Sequence, residues 1–417
     1  MAENDATLTR RDWLIGAAAA PAAFGAASAA RAGEDTLFLP AKSAFADMPF
    51  TYLDPGSTHP SPLGAKAAVD AYMARKTRDR NAPEEAQSEE SAVTFARLIN
   101  ADPDEISYVY STTMGENLSL LAAGMPQAGG RIVTDALHFF GSHYTYGEMR
   151  RAGMDVVTLP MTEDGRISMD EMAAAIDDNT KFVAVSLVST INGFQHDLKK
   201  VSDIAHAHGA LVYADIIHGA GSVPFDVKQS GVDFAACSTY KWLMGDMGRG
   251  FLYIRKDLQE SVRRPWWGYH QIASFQTHLY PFDAPGEHPA DYAARQDATG
   301  LFAMGTESYG VEAHLRHSLP WVEKLDVARI QSWRQPMIDA VQTELRRRGY
   351  QPMTPLDSKT PMVAFALKDA RARLGQLLRD ADIRMTVAAN CFRVSVSVFN
   401  DMNDIDRLLE VLPKTPG

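Results

Sequence analysis

From residue 106 onward the chain alternates between two kinds of hydrophobic pattern. Short, mostly apolar runs read as strands: Ile106–Tyr110, Arg131–Thr134, Val156–Leu159, Phe182–Leu187, Leu211–Ala214, Phe234–Cys237 and Gly250–Ile254. Between them, apolar residues recur at helical spacing over Glu116–Ala123, His143–Arg151, Met169–Ile176 and Leu198–Ala207. Strands without a polar face must be covered on both sides. Their alternation with amphipathic helices predicts an α/β fold with a mostly parallel sheet of seven strands. Ligands of such sheets collect where the strands end, at their carboxyl edge.

The flanks follow other rules. Residues 38–64 are Pro-rich and irregular, with a strand and a turn cluster in TYLDPGSTHPSPLG, and helices are predicted over Ala65–Arg78 and Glu89–Ile99. The aromatic, Pro-rich segment 265–289 breaks the rhythm and reads as an irregular lid or pocket wall. A second alternating region from Trp321 holds the strand Met362–Phe365, the helix Ala372–Asp380, the strand Phe392–Val398 and a helix from Asp404. The predicted division is an N-terminal segment over 33–62 that joins a small domain, a large domain over 63–312, and a small α+β domain over 313–417.

The first 32 residues stand apart. Arg10-Arg11 precedes a mildly apolar Ala/Gly stretch ending in Ala30-Arg31-Ala32, which resembles a twin-arginine signal peptide with an A-x-A cleavage site. A membrane anchor would be built from Leu, Ile and Val. The expectation is an exported, periplasmic protein that uses the twin-arginine translocation machinery, with a cytoplasmic protein as the alternative.

Composition narrows the chemistry. A net charge of -11 without basic runs argues against nucleic acid as a partner. With only Cys237 and Cys391, there is no disulfide framework, and no HExxH or CxxC pattern points to a metal.

The candidate chemistry gathers at strand ends. Lys241, in CSTYKWLMGDMG, follows an apolar strand; a desolvated lysine with a lowered pKa is an amine nucleophile suited to Schiff-base formation. Asp215 ends the apolar run VYAD and needs a cation, for which a protonated pyridine nitrogen is one candidate. An aspartate for a pyridinium and a lysine for an aldehyde are the pair that pyridoxal 5'-phosphate requires. In YSTTMGEN, the Met114 and Gly115 N–H groups and the Thr113 hydroxyl form a candidate phosphate cradle where a strand passes into a helix. Ser238 and Tyr240 could add two hydroxyls.

The run VYADIIHGAGSVPFDVKQSGVDFAACSTYKWLMGDMGRGFLYIR resembles the class-V aminotransferase family of fold-type I pyridoxal phosphate enzymes, in particular the isopenicillin N epimerase, kynureninase and cysteine desulfurase group. The resemblance extends from Thr51 to the C-terminal FRVSVSVFNDMNDIDRLLEVL. It implies Lys241 as the Schiff-base residue, Asp215 as the partner of the ring nitrogen, and Phe139 or His138 as the stacking aromatic. It also implies Ser189 and His218 near the phenolic oxygen, His218 lying where such enzymes carry Gln or His. Arg393 matches the arginine that binds a substrate α-carboxylate. Gly305-Thr306 matches a pair that reaches the phosphate of a neighbouring subunit, which implies a homodimer with shared sites.

Desulfurases place a nucleophilic cysteine on a loop well before that arginine; here Cys391 lies only two residues before Arg393, so desulfuration is not expected. The expected substrate is an amino acid or small peptide, and transamination, epimerisation and elimination or oxidative chemistry all stay open. His59, Trp266, Trp267, Tyr269, His270 and Tyr280 are candidate wall residues, with His59, Trp267 and His270 assigned to substrate. Export also resembles the situation of a periplasmic siderophore-maturation enzyme that modifies a glutamyl group. A non-catalytic, ligand-binding relative is the alternative from another class.

Overall fold

The computed structural model describes residues 37–79 and 90–415. The expected signal segment lies outside them, as does the expected first residue of the helix over Glu89–Ile99.

The central sheet has seven strands in the order Ile106–Val109, Gly250–Ile254, Phe234–Ser238, Leu211–Asp215, Thr180–Ser186, Arg131–Asp135, Asp155–Leu159. Gly250–Ile254 runs antiparallel to both of its neighbours and the other strands run in one direction. Helices cover both faces, and two large clusters of buried aliphatic and aromatic side chains lie on either side of the sheet. Adjacent central strands end in register, with Ser186 opposite Asp215 and Asp215 opposite Ala236. The predicted carboxyl-edge residues are therefore brought together.

A four-stranded antiparallel sheet, in the order Gln351–Pro352, Met362–Ala366, Cys391–Ser395, Thr386–Val387, forms the small unit. Its core runs from Met337 to Leu412 and takes in Leu53. Thr51–Tyr52 pairs in parallel with Ile383–Arg384, which ties the N-terminal segment to this unit.

Three features depart from the expected elements. The helix expected from Glu116 begins at Thr112, because the Ser111 side chain caps it by accepting the Met114 N–H. Long helices occupy Tyr309–Leu325 and Val327–Arg347 although each contains a proline, Pro320 and Pro336. Proline interrupts a helical pattern in sequence, but here tertiary packing holds the helices intact. The segment read as irregular contains the strand Ile272–Thr277, which pairs with Ala290–Ala294. Both strands are largely exposed, so no hydrophobic alternation marks them.

Candidate active site

Two strand ends and one position within a third strand supply the site. Leu211–Asp215 carries Asp215 at its last position and turns tightly through His218, where the Ser222 hydroxyl donates to the His218 carbonyl at 2.6 Å. Phe234–Ser238 delivers Lys241 just beyond its end. Cys391–Ser395, from the small unit, brings Arg393 alongside.

Lys241 is only 7% exposed, and its Nζ lies 2.8 Å from His218 Nε2. Burial lowers the Lys241 ammonium from 10.5 to about 8, against the pull of Asp215 and with help from the positive charge of Arg393. Burial and the two cations Lys241 and Arg393 push His218 well below its ordinary value, so its ring is neutral. On its other side His218 Nδ1 accepts the Trp242 indole N–H at 3.2 Å. Asp215 accepts the Ile217 N–H at 3.0 Å, and burial raises its carboxyl above the ordinary range, opposed by the nearby His138. A buried acid in that condition favours a cationic partner.

Arg393 is held as a fork. Nη1 donates to the Thr190 carbonyl and hydroxyl, both at 2.9 Å, and Nη2 donates to Ser57 Oγ at 2.9 Å and Thr386 Oγ1 at 3.2 Å. Asp54 stands 3.5 Å away. Arg393 Nε and Ser395 Oγ are buried without hydrogen-bond partners. Unpaired buried donors beside a fixed guanidinium suit a carboxylate ligand.

The phosphate cradle differs from the expected one. The Met114 N–H is taken by Ser111 Oγ at 3.1 Å, and the Gly115 N–H by the Ser111 carbonyl at 3.0 Å. Gly115 serves packing instead, since a Cβ there would lie 2.6 Å from the Ala236 Cβ. Ser238 does not face outward: its hydroxyl accepts the Thr112 N–H at 2.8 Å, and its N–H donates to Thr112 Oγ1 at 2.9 Å, stitching the helix N-terminus to the strand. Thr113 is exposed in the first helical turn, where the helix end favours an anion.

His138 is fully buried, with Nδ1 on Ser186 Oγ at 2.9 Å and Nε2 on Glu116 Oε1 at 3.0 Å, while Phe139 beside it is partly exposed. Glu116 also receives the Ser142 hydroxyl at 2.6 Å and the Tyr146 hydroxyl. Ser189 is buried and its Oγ accepts the Ile191 N–H at 3.1 Å. Tyr240 is partly buried, and its carbonyl takes the His59 N–H at 3.0 Å.

His59 is not a wall residue. Its Nδ1 donates to the Pro60 carbonyl at 2.8 Å, its Nε2 accepts from Ser397 at 2.7 Å, and its ring packs among Phe45, Trp242 and Phe399. Burial lowers its pKa to about 4. Trp266, Trp267 and Tyr280 stand exposed, Trp267 at 82%, on the outer segment. His270 is partly buried, its ring against Tyr269. Thr306 is exposed, with its hydroxyl on Tyr269 OH at 2.7 Å and its carbonyl on Tyr110 OH at 3.1 Å; Gly305 is adjacent.

The sequence reading missed Trp242, Thr190, Ser57 and Thr386. Trp242 adjoins the lysine and carries an indole donor, a signal that was available. The Arg393 partners come from segments far apart in the chain, and only the folded arrangement reveals them.

An amine, a carboxylate and a neutral imidazole meet here at the carboxyl edge beside a helix N-terminus. That donor set fits pyridoxal phosphate: Lys241 would hold its aldehyde, Asp215 would face its ring nitrogen, and the helix start at Thr113 would take its phosphate.

Comparison with known proteins agrees. A family model described as Aminotransferase class-V matches residues 52–408. A probable cysteine desulfurase of Methanothermobacter thermautotrophicus is 27% identical over 290 residues, covering 67% of this chain and 68% of that protein. A cysteine desulfurase of Klebsiella pneumoniae is 25% identical over 392 residues, covering 88% and 93%. Among solved structures, the Escherichia coli cysteine desulfurase CsdA superimposes with a TM-score of 0.77 at 22% identity, covering 90% of this chain and 98% of that one. The cystine C-S lyase C-DES gives 0.74 at 18%, covering 87% and 97%.

Proposed function

Because the chain belongs to the class-V aminotransferase family and is a pyridoxal phosphate-dependent enzyme, we propose that it acts at the amino-bearing carbon of an amino acid or small peptide, by aminotransferase, epimerase or lyase-type chemistry, and that it does so after export. The observation that carries this reading is the convergence of Lys241, His218, Asp215 and Arg393. When bound, the cofactor supplies an aldehyde carbon and a ring that accepts electrons. Lys241 Nζ, buried and easily deprotonated, takes and returns a proton at the amino-bearing carbon. His218 Nε2 orients that amine. Asp215 supplies the counter-charge for a ring cation. Arg393 binds the substrate carboxylate, held by Thr190, Ser57 and Thr386.

Sulfur transfer from cysteine is left out because this chain offers no placed thiol. Cys237 is buried and its thiol is pushed well above its ordinary value. Cys391 sits within a strand opposite Ala366, and only residues 388–390 separate that strand from Thr386–Val387.

Export rests on the Arg10-Arg11 signal pattern, and a homodimer with shared sites rests on the Gly305-Thr306 match. The substrate test is a screen of amino acids and a glutamyl peptide, following ammonia, oxygen uptake and keto-acid formation. Turnover of at least one is expected, and turnover of none would overturn the reading. For export, periplasmic protein should begin near Gly33 and vanish when Arg10 and Arg11 are both replaced by lysine. For the homodimer, light scattering should give twice the chain mass, and a monomeric holoenzyme with full activity would refute it.

A further inference from the structure

We propose that Trp242 is a positioning residue that sets the tautomer of His218 and thereby favours Lys241 as the hydrogen-bond acceptor of the pair, easing its loss of a proton. The inference rests on the assignment of Lys241 as the reacting amine and adds a role for the residue beside it.

An indole nitrogen can only donate. Trp242 Nε1 lies 3.2 Å from His218 Nδ1, so Nδ1 must present its lone pair. A neutral imidazole carries one proton, which then resides on Nε2. Nε2 faces Lys241 Nζ at 2.8 Å. An ammonium has three donors and no acceptor, so it cannot receive that N–H; an unprotonated amine can. Protonating Lys241 would require His218 to move its proton to Nδ1, where it would oppose the indole N–H. It would otherwise leave one of these buried hydrogen bonds broken.

The scaffold keeps the chain of donors in place. Trp242 is 3% exposed and edges onto the His59 ring at 6.4 Å. Its carbonyl comes so close to Gly221 that a Cβ there would lie 2.7 Å away, and Gly221 has φ +78°. The groups acting electrostatically on Lys241 come from several elements: Asp215, Arg393, Cys237 and Asp54. On His218 they are Lys241 and Arg393. None of these dictates which imidazole nitrogen holds the proton; Trp242 does.

The test uses the cofactor-free full chain and 15N-histidine NMR between pH 6 and 9. The wild type should show a neutral His218 ring throughout, as the Nε2–H tautomer above pH 8, where Lys241 is unprotonated. An Nδ1–H tautomer above pH 8, or an imidazolium at any pH in this range, would overturn the proposal, whatever reaction the enzyme performs. The second readout is the pH dependence of pyridoxal phosphate uptake, which reports the free amine. Trp242→Phe should raise its midpoint by about 0.7 pH unit, since a net buried hydrogen bond is worth roughly 1 kcal/mol. It should also let His218 take the Nδ1–H tautomer. His218→Gln should keep the wild-type midpoint, whereas His218→Leu should not. Unchanged midpoints in Trp242→Phe and His218→Leu, with circular dichroism confirming folding, would refute the role. Failure of the substrate screen together with the expected tautomer would refute the proposed reaction class and leave this assignment standing.

Discussion

Replacing Lys241 with methionine should stabilise the cofactor-free protein at neutral pH. Methionine has similar length and fills the same buried space without a charge. In the folded state the Lys241 ammonium is lowered from 10.5 to about 8 by burial. At 1.36 kcal/mol per pH unit, that costs the native state roughly 3 kcal/mol below pH 8, where the lysine is protonated in both states. The loss of the bond to His218 offsets about 1 kcal/mol of the gain from substitution. A net gain of about 2 kcal/mol is expected at pH 7. The sign follows from proton counts. Between pH 8 and 10.5 the unfolded state binds more protons at this site, so wild-type stability rises with pH there. The advantage of the variant is therefore full below pH 8 and fades as pH approaches 10.5. Urea unfolding of both cofactor-free proteins at pH 7 and 10.5 measures this directly. A variant less stable than wild type at pH 7, or an advantage independent of pH, would refute the claim that this lysine is held at an electrostatic cost.

Asp215→Asn should bind cofactor yet lower turnover about 100-fold or more, the usual scale for removing a placed electrostatic partner; steady-state rates check it. Arg393→Lys loses the fork that Thr190, Ser57 and Thr386 hold, and should raise KM for carboxylate substrates about 10- to 100-fold with a smaller effect on kcat. Gly115→Ala places a Cβ 2.6 Å from the Ala236 Cβ, and should cost about 1–3 kcal/mol of stability while weakening pyridoxal phosphate affinity through the displaced helix; denaturant titration and cofactor titration read both. Cys391→Ser should retain most activity in the substrate screen, and its abolition would restore a catalytic thiol.

The sequence displayed the central sheet clearly because its inner strands are largely apolar on both faces, the edge strand Asp155–Leu159 being the exposed exception. The residues at strand ends were equally legible: Lys241, Asp215 and His218 follow apolar runs where polar groups need a reason. What escaped falls into two physical classes. Pro320 and Pro336 masked helices whose packing overrides a local breaker, and Ile272–Thr277 lacks the alternation that burial of one face imprints. At the site, Met114 and Gly115 looked like anion donors because their helix start was placed too late; with Ser111 as the cap, their N–H groups are spent within the turn. The partners of Arg393 come from residues 57, 190 and 386, a convergence that no local pattern encodes. His59 looked like a pocket residue because it sits in an irregular segment, yet an aromatic cluster encloses it.

The most direct test of the account is where the cofactor attaches. Protein loaded with pyridoxal phosphate, reduced with borohydride and digested should carry the pyridoxyl mass on the peptide that contains Lys241, and its visible absorbance band should bleach on reduction. Lys241→Ala should show neither. A label on another lysine, or a colourless wild type after loading, would contradict the account.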